Sequence, residues 1–358
     1  MCKYIICKLK YYLLILLMFT IVNCFSQQES KYKVRTIAFY NLENLFDTIN
    51  DPHTFDDDRT PLGKDKWTSE RYRDKLINMS GVLSEIGSEL TKSSPDVIGV
   101  CEIENDSVLV DLINQPALKN KGYAILHYNS PDERGIDVAL LYKEQVFMPT
   151  TFKSHRLLLF KESGYRDYTR DQLIVGGLLD DEEIYFIVNH WPSRSGGEAR
   201  SRPNRIAAAK LNKRIIDSVQ RLNKDAKIIS MGDFNDDPIN KSFKRVLRAE
   251  GKIKKVTDSV LYNPMEALFK KGEGSLAYRD KWNVFDQIYF TGNLVNEKRD
   301  TYSFFKAAIY SPSYLTTTSG RYKGYPKRTY SGGSYTGGYS DHFPVYIYLI
   351  KKYSKETN

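Results

Sequence analysis

Short apolar runs rich in β-branched and aromatic residues alternate with longer amphipathic stretches along almost the whole chain. That alternation is the pattern of an α/β protein, because a strand buries every second residue and a helix buries a stripe with a period of about 3.6 residues. Residues 34–41, 97–101, 123–127, 137–142, 227–231, 284–290 and 343–350 read as strands, and 173–179 with 184–189 as a hairpin across the acidic turn 180–183. Thr68 caps a helix reaching about Ile86, with Glu70 in its first turn and Tyr72, Leu76, Met79, Leu83 and Ile86 on one face. Pro203 opens a second helix running to Leu222, with Ala208, Leu211, Ile215, Val219 and Leu222 on its buried face. Hairpins among the strands require mixed rather than parallel sheets. No repeat of fixed period and no Pro/Ser-rich linker divides the chain. The expected fold is a single four-layer α/β sandwich, two packed mixed β-sheets flanked by helices.

The first 26 residues stand apart. Lys3, Lys8 and Lys10 form a basic start, and residues 11–22 an apolar core of about a dozen residues, shorter than a bilayer span. Small residues at Cys24 and Ser26 fit cleavage after Ser26. The expected organisation is a signal peptide over 1–26 and one domain over 27–358. The domain carries no transmembrane segment and is exported to the periplasm, the surface or the medium. Lipidation at Cys24 is the less favoured alternative, because Asn23 is unusual just before a lipidated cysteine. Once the leader is gone only Cys101 is left, which excludes an internal disulfide. The net charge of +9 falls to about +6 without the leader, which suits a polyanionic partner as well as simple solubility.

Polar residues of chemical interest fall at the ends of the apolar runs. Asn41 and Glu43 close the first run, and in an extended segment they share a face. An amide beside a carboxylate can hold a hard cation and a phosphate oxygen, although Asn-x-Glu is also ordinary turn chemistry. Glu102 closes the run ending at Cys101, where a buried carboxylate needs a partner or a metal. His190 ends the strand Phe186-Ile187-Val188-Asn189 and is followed by Trp191-Pro192-Ser193-Arg194; a histidine there either serves acid–base chemistry or is satisfied by the backbone. In Gly232-Asp233-Phe234-Asn235, the glycine permits a sharp turn that sets an acid and an amide on one face. Asp341-His342 precedes the last strand, and Asp286 enters another, where it can orient His342. Cys101, inside an apolar run, reads as a core residue. Two segments read as irregular: the acidic stretch 51–66, and 311–339, where Tyr314, Tyr322, Tyr325, Tyr330 and Tyr335 interleave with Arg321, Lys323, Lys327 and Arg328.

Taken in order, these residues resemble the endonuclease/exonuclease/phosphatase superfamily with its DNase I-like fold, and more narrowly bacterial predicted extracellular nucleases that begin Tyr-Asn-x-Glu-Asn-Leu-Phe-Asp. The resemblance runs from Tyr40 to Pro344. It implies a secreted, metal-dependent phosphodiesterase that hydrolyses nucleic acid, as an endonuclease, by in-line attack of water. It implies catalytic roles for Asn41, His190, Asp233, Asn235, Asp286 and His342. Glu43, Glu102 and Asp341 would form the metal site, and Arg134, Trp191, Arg194, Arg321 and Lys323 would face the substrate. All-oxygen ligands favour Mg²⁺ or Mn²⁺, with Ca²⁺ as a further candidate, over zinc. Either Asp233 or His342 would be the general base. Many relatives have Gln where this chain has Cys101, which bears on tuning of the site. The expected partner is DNA or RNA, with no obligatory protein partner and a monomeric chain. The alternative substrates are nucleotides, phosphoinositides and sphingolipids, and the alternative class is a catalytically dead nucleic-acid binder. The dead binder would lack one of the matched positions, and none is lacking.

Overall fold

A computed structural model describes residues 32–295 and 298–353, and Val34–Lys351 forms one compact unit. The expected leader, residues 1–26, lies outside the described residues. The principal elements in chain order are β1 (Tyr32–Leu45), α1 (Ser69–Glu85), β2 (Val97–Ile103), α2 (Asp106–Ile113), β3 (Tyr123–His127), β4 (Asp137–Lys143), β5 (Phe147–His155), β6 (Gln172–Leu179), β7 (Glu182–His190), α3 (Glu198–Leu222), β8 (Lys227–Asp233), β9 (Leu261–Tyr262), β10 (Asp286–Thr291), β11 (Ser303–Ile309) and β12 (Val345–Lys352). They make two six-stranded sheets, ordered β11-β12-β1-β2-β4-β3 and β9-β10-β8-β7-β6-β5. Both are mixed: β1–β2 and β8–β7 run parallel, whereas β2–β4 and β8–β10 run antiparallel.

Alternation along each strand builds the four layers. Ile37 and Phe39 of β1 face inward with Val97 and Cys101 of β2, meeting Val188, Ile229, Met231 and Ile288 of the other sheet. Ala38 and Tyr40 face outward beneath Leu76, Met79 and Leu83 of α1 and Val108 and Leu112 of α2. On the far side, Ala208, Leu211, Ile215 and Val219 of α3 cover Ile187 and Ile228. The sheets approach so closely at Gly99 that a Cβ there would lie 2.6 Å from Met231 Sδ.

The helix at Thr68 forms as its spacing indicates, and the Thr68 side chain accepts from the Arg71 N–H. The other begins earlier than expected, at Glu198, so Pro203 lies inside its second turn rather than opening it. Two strands carry no clear sequence signal. Both β5 and β11 are sheet edges whose residues are mostly half-buried or exposed, so neither shows a continuous apolar face. Among the described residues, no helix is long and apolar enough to cross a membrane.

Candidate active site

Three strands of the second sheet end at one level. Asp233 on β8 pairs with His190 on β7 and with Asp286 on β10. The first sheet supplies the opposing wall: Asn41 from β1, Glu102 from β2, and Asp341 and His342 just before β12. His342 Nδ1 lies 2.6 Å from Asp286 Oδ2, and its Nε2 lies 3.8 Å from Asp233 Oδ2. Asn41 Nδ2 donates to Asp233 Oδ2 at 3.2 Å, and His190 Nε2 sits 3.7 Å from both Asp233 Oδ2 and Glu102 Oε1. Glu102, His190, Asp233, Asn235, Asp341 and His342 line a cavity of about 930 Å³.

The backbone departs from regular strand where these residues emerge. Register shifts fall between Asn41 and Leu45 in β1 and between Cys101 and Ile103 in β2. Glu43, Asn44, Glu102 and Asn235 all have positive φ, between 48° and 58°. Left-handed backbone costs on the order of 1 kcal/mol or more at a non-glycine residue, so it persists only where surrounding contacts hold it. The contacts are present: Asn44 N–H donates to Glu102 Oε2 at 3.1 Å, Glu43 N–H to Asn41 Oδ1 at 2.9 Å, and Asn235 N–H to Asp233 Oδ1 at 3.0 Å. Bulges of this kind re-aim a side chain at a strand end. Gly232 is needed for a different reason from the expected turn. It lies in regular strand, and a Cβ there would come within 2.4 Å of the Asn189 carbonyl oxygen.

The two histidines are held in opposite states. Burial drives His190 well below the ordinary imidazole range, and the cations Arg170 and Arg134 act in the same direction. Both effects favour the neutral ring, whose Nδ1 is buried and unpartnered. Burial also opposes charge on His342, but Asp286, Asp233 and Asp341 outweigh it and raise its pKa well above that range. Asp233 is pushed up to about 7 by burial, against the pull of His342. Paired groups with pKa values driven apart are the signature of assigned acid and base roles.

The donor set suits a hard divalent cation. Asp233, Asp286 and His342 cluster within 4.8 Å, yet Asp286 and His342 are already joined to each other, which makes this trio an acid–base relay. Glu102 and Asp341 each keep uncommitted carboxylate oxygen facing the cleft: Glu102 Oε1 has His190 no nearer than 3.7 Å, and Asp341 Oδ1 has His342 at 3.9 Å. Carboxylate oxygens without sulfur or free imidazole fit Mg²⁺-like ions.

The structure moves several expected residues. Glu43 does not line the cleft. The bulge turns it away from Asn41, and its oxygens accept from Arg328 Nε at 3.2 Å and the Thr329 N–H at 2.6 Å, with Lys75 Nζ at 3.8 Å. Asn41 is fully buried behind Asp233, positioning that carboxylate. Trp191 cannot face substrate: its ring is 1% exposed and packs against Phe234 and Phe243. Its carbonyl matters instead, accepting from Asn235 Nδ2 and Arg170 Nη2. Arg134 and Arg194 line the cleft as expected. Arg321 and Lys323 are exposed and lie outside that lining, to which their loop contributes Tyr325, Pro326 and Arg328. Tyr330 and Tyr335 pack against each other, on Trp67 and Arg71 respectively.

Arg170 and Lys75 carry no sequence signal for the site, and Arg328 reads there only as one cation of the loop 311–339. Arg170 lies just before β6, the mirror of the strand-end rule, and holds Asp132 at 2.9 Å. Arg328 reaches Asp341 Oδ2 at 2.8 Å. Lys75 is buried inside α1 and donates to Thr329 Oγ1 at 2.8 Å and to the Tyr339 carbonyl; burial, countered by Glu43, lowers its pKa to about 8. No local pattern separates that lysine from the solvated lysines of other helices.

Two packed sheets thus bring carboxylates, amides and a paired histidine together at their facing strand ends. The model of the Endonuclease/Exonuclease/phosphatase family matches residues 36–351, and the chain belongs to that family. It is accordingly a metal-dependent phosphoric ester hydrolase. Solved structures share its fold at low identity. An endonuclease/exonuclease/phosphatase family protein from Bacteroides thetaiotaomicron is 17% identical with a TM-score of 0.52, covering 90% of this chain and 97% of its own. The mannosyl-6-phosphatase of the same organism is 18% identical with a TM-score of 0.51, covering 88% and 99%. D. rerio TDP2 in complex with single strand DNA product is 14% identical with a TM-score of 0.50, again covering 88% and 99%. No curated protein matches the chain in sequence.

Proposed function

We propose that the chain is an exported phosphodiesterase that hydrolyses nucleic acid, of the bacterial extracellular nuclease kind, acting as a monomer. The observation that carries this reading is the cleft wall. Arg134, Arg170, Arg194, Arg279 and Arg328 line it together with Tyr278, Phe285 and Tyr325. Cations for successive phosphates beside rings for bases are the chemistry of a nucleic-acid channel. The DNA product held by D. rerio TDP2 supports the same reading, as does the net charge of +9. The leader-like residues 1–26 support export.

Glu102 and Asp341 would hold the divalent cation, which neutralises phosphate charge when bound. Asp233, anchored by Asn41, accepts the proton of the attacking water. His342, kept charged by Asp286, donates a hydrogen bond from Nε2 to a non-bridging phosphate oxygen, and His190 with Asn235 steadies the charge that grows in the transition state; the P–O bond to the leaving alcohol breaks as the bond to water forms, and the leaving oxygen takes a proton from solvent. This division makes Asp233 the base, because a histidine already protonated cannot accept a proton.

The test is incubation of purified protein with plasmid, single-stranded DNA, RNA, bis-p-nitrophenyl phosphate and mannose 6-phosphate, with Mg²⁺, Mn²⁺ or Ca²⁺ and with EDTA. Metal-dependent cleavage of a polynucleotide is expected. Turnover confined to phosphate monoesters overturns the reading in favour of a phosphatase.

A further inference from the structure

A second cavity of about 780 Å³ adjoins the catalytic cleft, and Arg170, Ser193, Ser195 and Gly196 line both. The far wall is a short hairpin, Leu159–Phe160 paired with Arg166–Asp167. This hairpin presents rings to solvent: Phe160 is 64% exposed and Tyr168 49%. The Arg166 guanidinium stands 5.6 Å from both ring centroids, so one cation ties the two exposed rings together. Lys161 and Arg200 flank the cavity. Arg170, at its junction with the cleft, is 6% exposed and keeps a buried Nε with no partner.

We propose that this second cavity is a subsite for the nucleotide adjoining the scissile phosphate of a single-stranded nucleic acid, with its base stacked on the Phe160–Tyr168 platform and its phosphate beside Arg170, Lys161 and Arg200. The inference rests on the nucleic-acid reading of the main cleft and adds the direction in which the strand leaves it. Three observations point to this occupant. The cavity shares the wall formed by Arg170, Ser193, Ser195 and Gly196 with the cleft, so the nucleotide next to a phosphate held at Asp233 lies within its reach. Free rings beside cations match a ligand that repeats a flat base and an anionic phosphate. Apart from Leu159 and Pro192 the rest of the lining is polar, with Glu162, Ser163, Asp167, Thr169 and Asn204, which suits a polar nucleotide better than a lipid chain.

The experiment measures kcat/KM for a dinucleotide and a hexanucleotide, as oligothymidylate and oligouridylate, in the wild type and in the double variant Phe160→Ala/Tyr168→Ala. Both residues are exposed, and thermal unfolding of the variant checks that it folds. In the wild type the longer substrate is expected to be preferred. In the alanine variant that preference falls about tenfold, the scale of one lost stacked base, and in Phe160→Trp/Tyr168→Trp it is retained. An unchanged preference in the alanine variant overturns the subsite while leaving wild-type nuclease activity, and hence the underlying reading, intact. Absence of wild-type cleavage of any oligonucleotide, with bis-p-nitrophenyl phosphate still turned over, overturns both. Lost binding to phosphatidylserine vesicles with an unchanged length preference assigns the hairpin to a membrane surface and overturns the subsite.

Discussion

His342 and Asp286 join the two sheets at the catalytic end: the histidine precedes β12 of one sheet, the aspartate opens β10 of the other, and their Nδ1–Oδ2 separation is 2.6 Å. The aspartate is completely buried and touches no part of the cleft, so it acts through the ring. His342→Ala is expected to lower kcat at least about a hundredfold, the low end for an acid–base group. Asp286→Asn combined with His342→Ala should be little slower than His342→Ala alone. Additive losses in that double-mutant cycle would mean that the residues work separately.

The opposite states of the histidines set the pH dependence. Asp233 acts as a carboxylate, so the rate rises with pH as it loses its proton, and burial places that limb above the usual carboxylate range. His342 acts as an imidazolium, so the rate falls as pH rises through its elevated pKa. A bell-shaped kcat/KM profile is expected. Nitrogen NMR at pH 7 should show His342 doubly protonated and His190 neutral; both rings titrating together near the free imidazole value would remove the assignment of roles.

Glu102→Gln should abolish phosphodiester cleavage and weaken Mn²⁺ binding measured by calorimetry, with thermal stability in EDTA little changed. Asp341→Asn should weaken the same binding. Glu43→Gln is expected to behave differently, because its oxygens serve Arg328 and Thr329: it should lower stability more than metal affinity. Equal losses of affinity in all three would return Glu43 to the metal.

Trp191→Ala tests the correction to its role. The ring is packed between Phe234 and Phe243, and emptying such a site costs about 3–5 kcal/mol. Urea unfolding should show that loss. A raised KM with unchanged stability would place the ring in contact with substrate after all.

The strand ends are legible because a polar residue at the edge of an apolar run is conspicuous, and Glu102, His190, Asp233, Asp286 and His342 all stand out in that way. Their environment is not. The face shared by Asn41 and Glu43 presumed regular alternation, and the bulge with φ of 48° at Glu43 breaks it. Trp191 looked accessible by its place after His190, but the chain folds back at Asp233, whose carbonyl accepts the Trp191 N–H, and carries the ring into the layer beneath α3. The edges β5 and β11 stayed hidden because a strand paired on one side and half-exposed lacks the apolar density that marks the central strands. Lys75 stayed hidden because its partners lie more than 250 residues away in sequence.

Because His190, Asp233 and Asp286 belong to one sheet and Glu102, Asp341 and His342 arrive with the other, neither half carries a working centre alone. Turnover therefore reports on the docking of the two halves. During refolding, strand formation seen by circular dichroism can run ahead, but hydrolysis returns only when the Gly99–Met231 interface has closed and His342 has met Asp286. An enzyme built this way is silent until its last large-scale assembly step is complete.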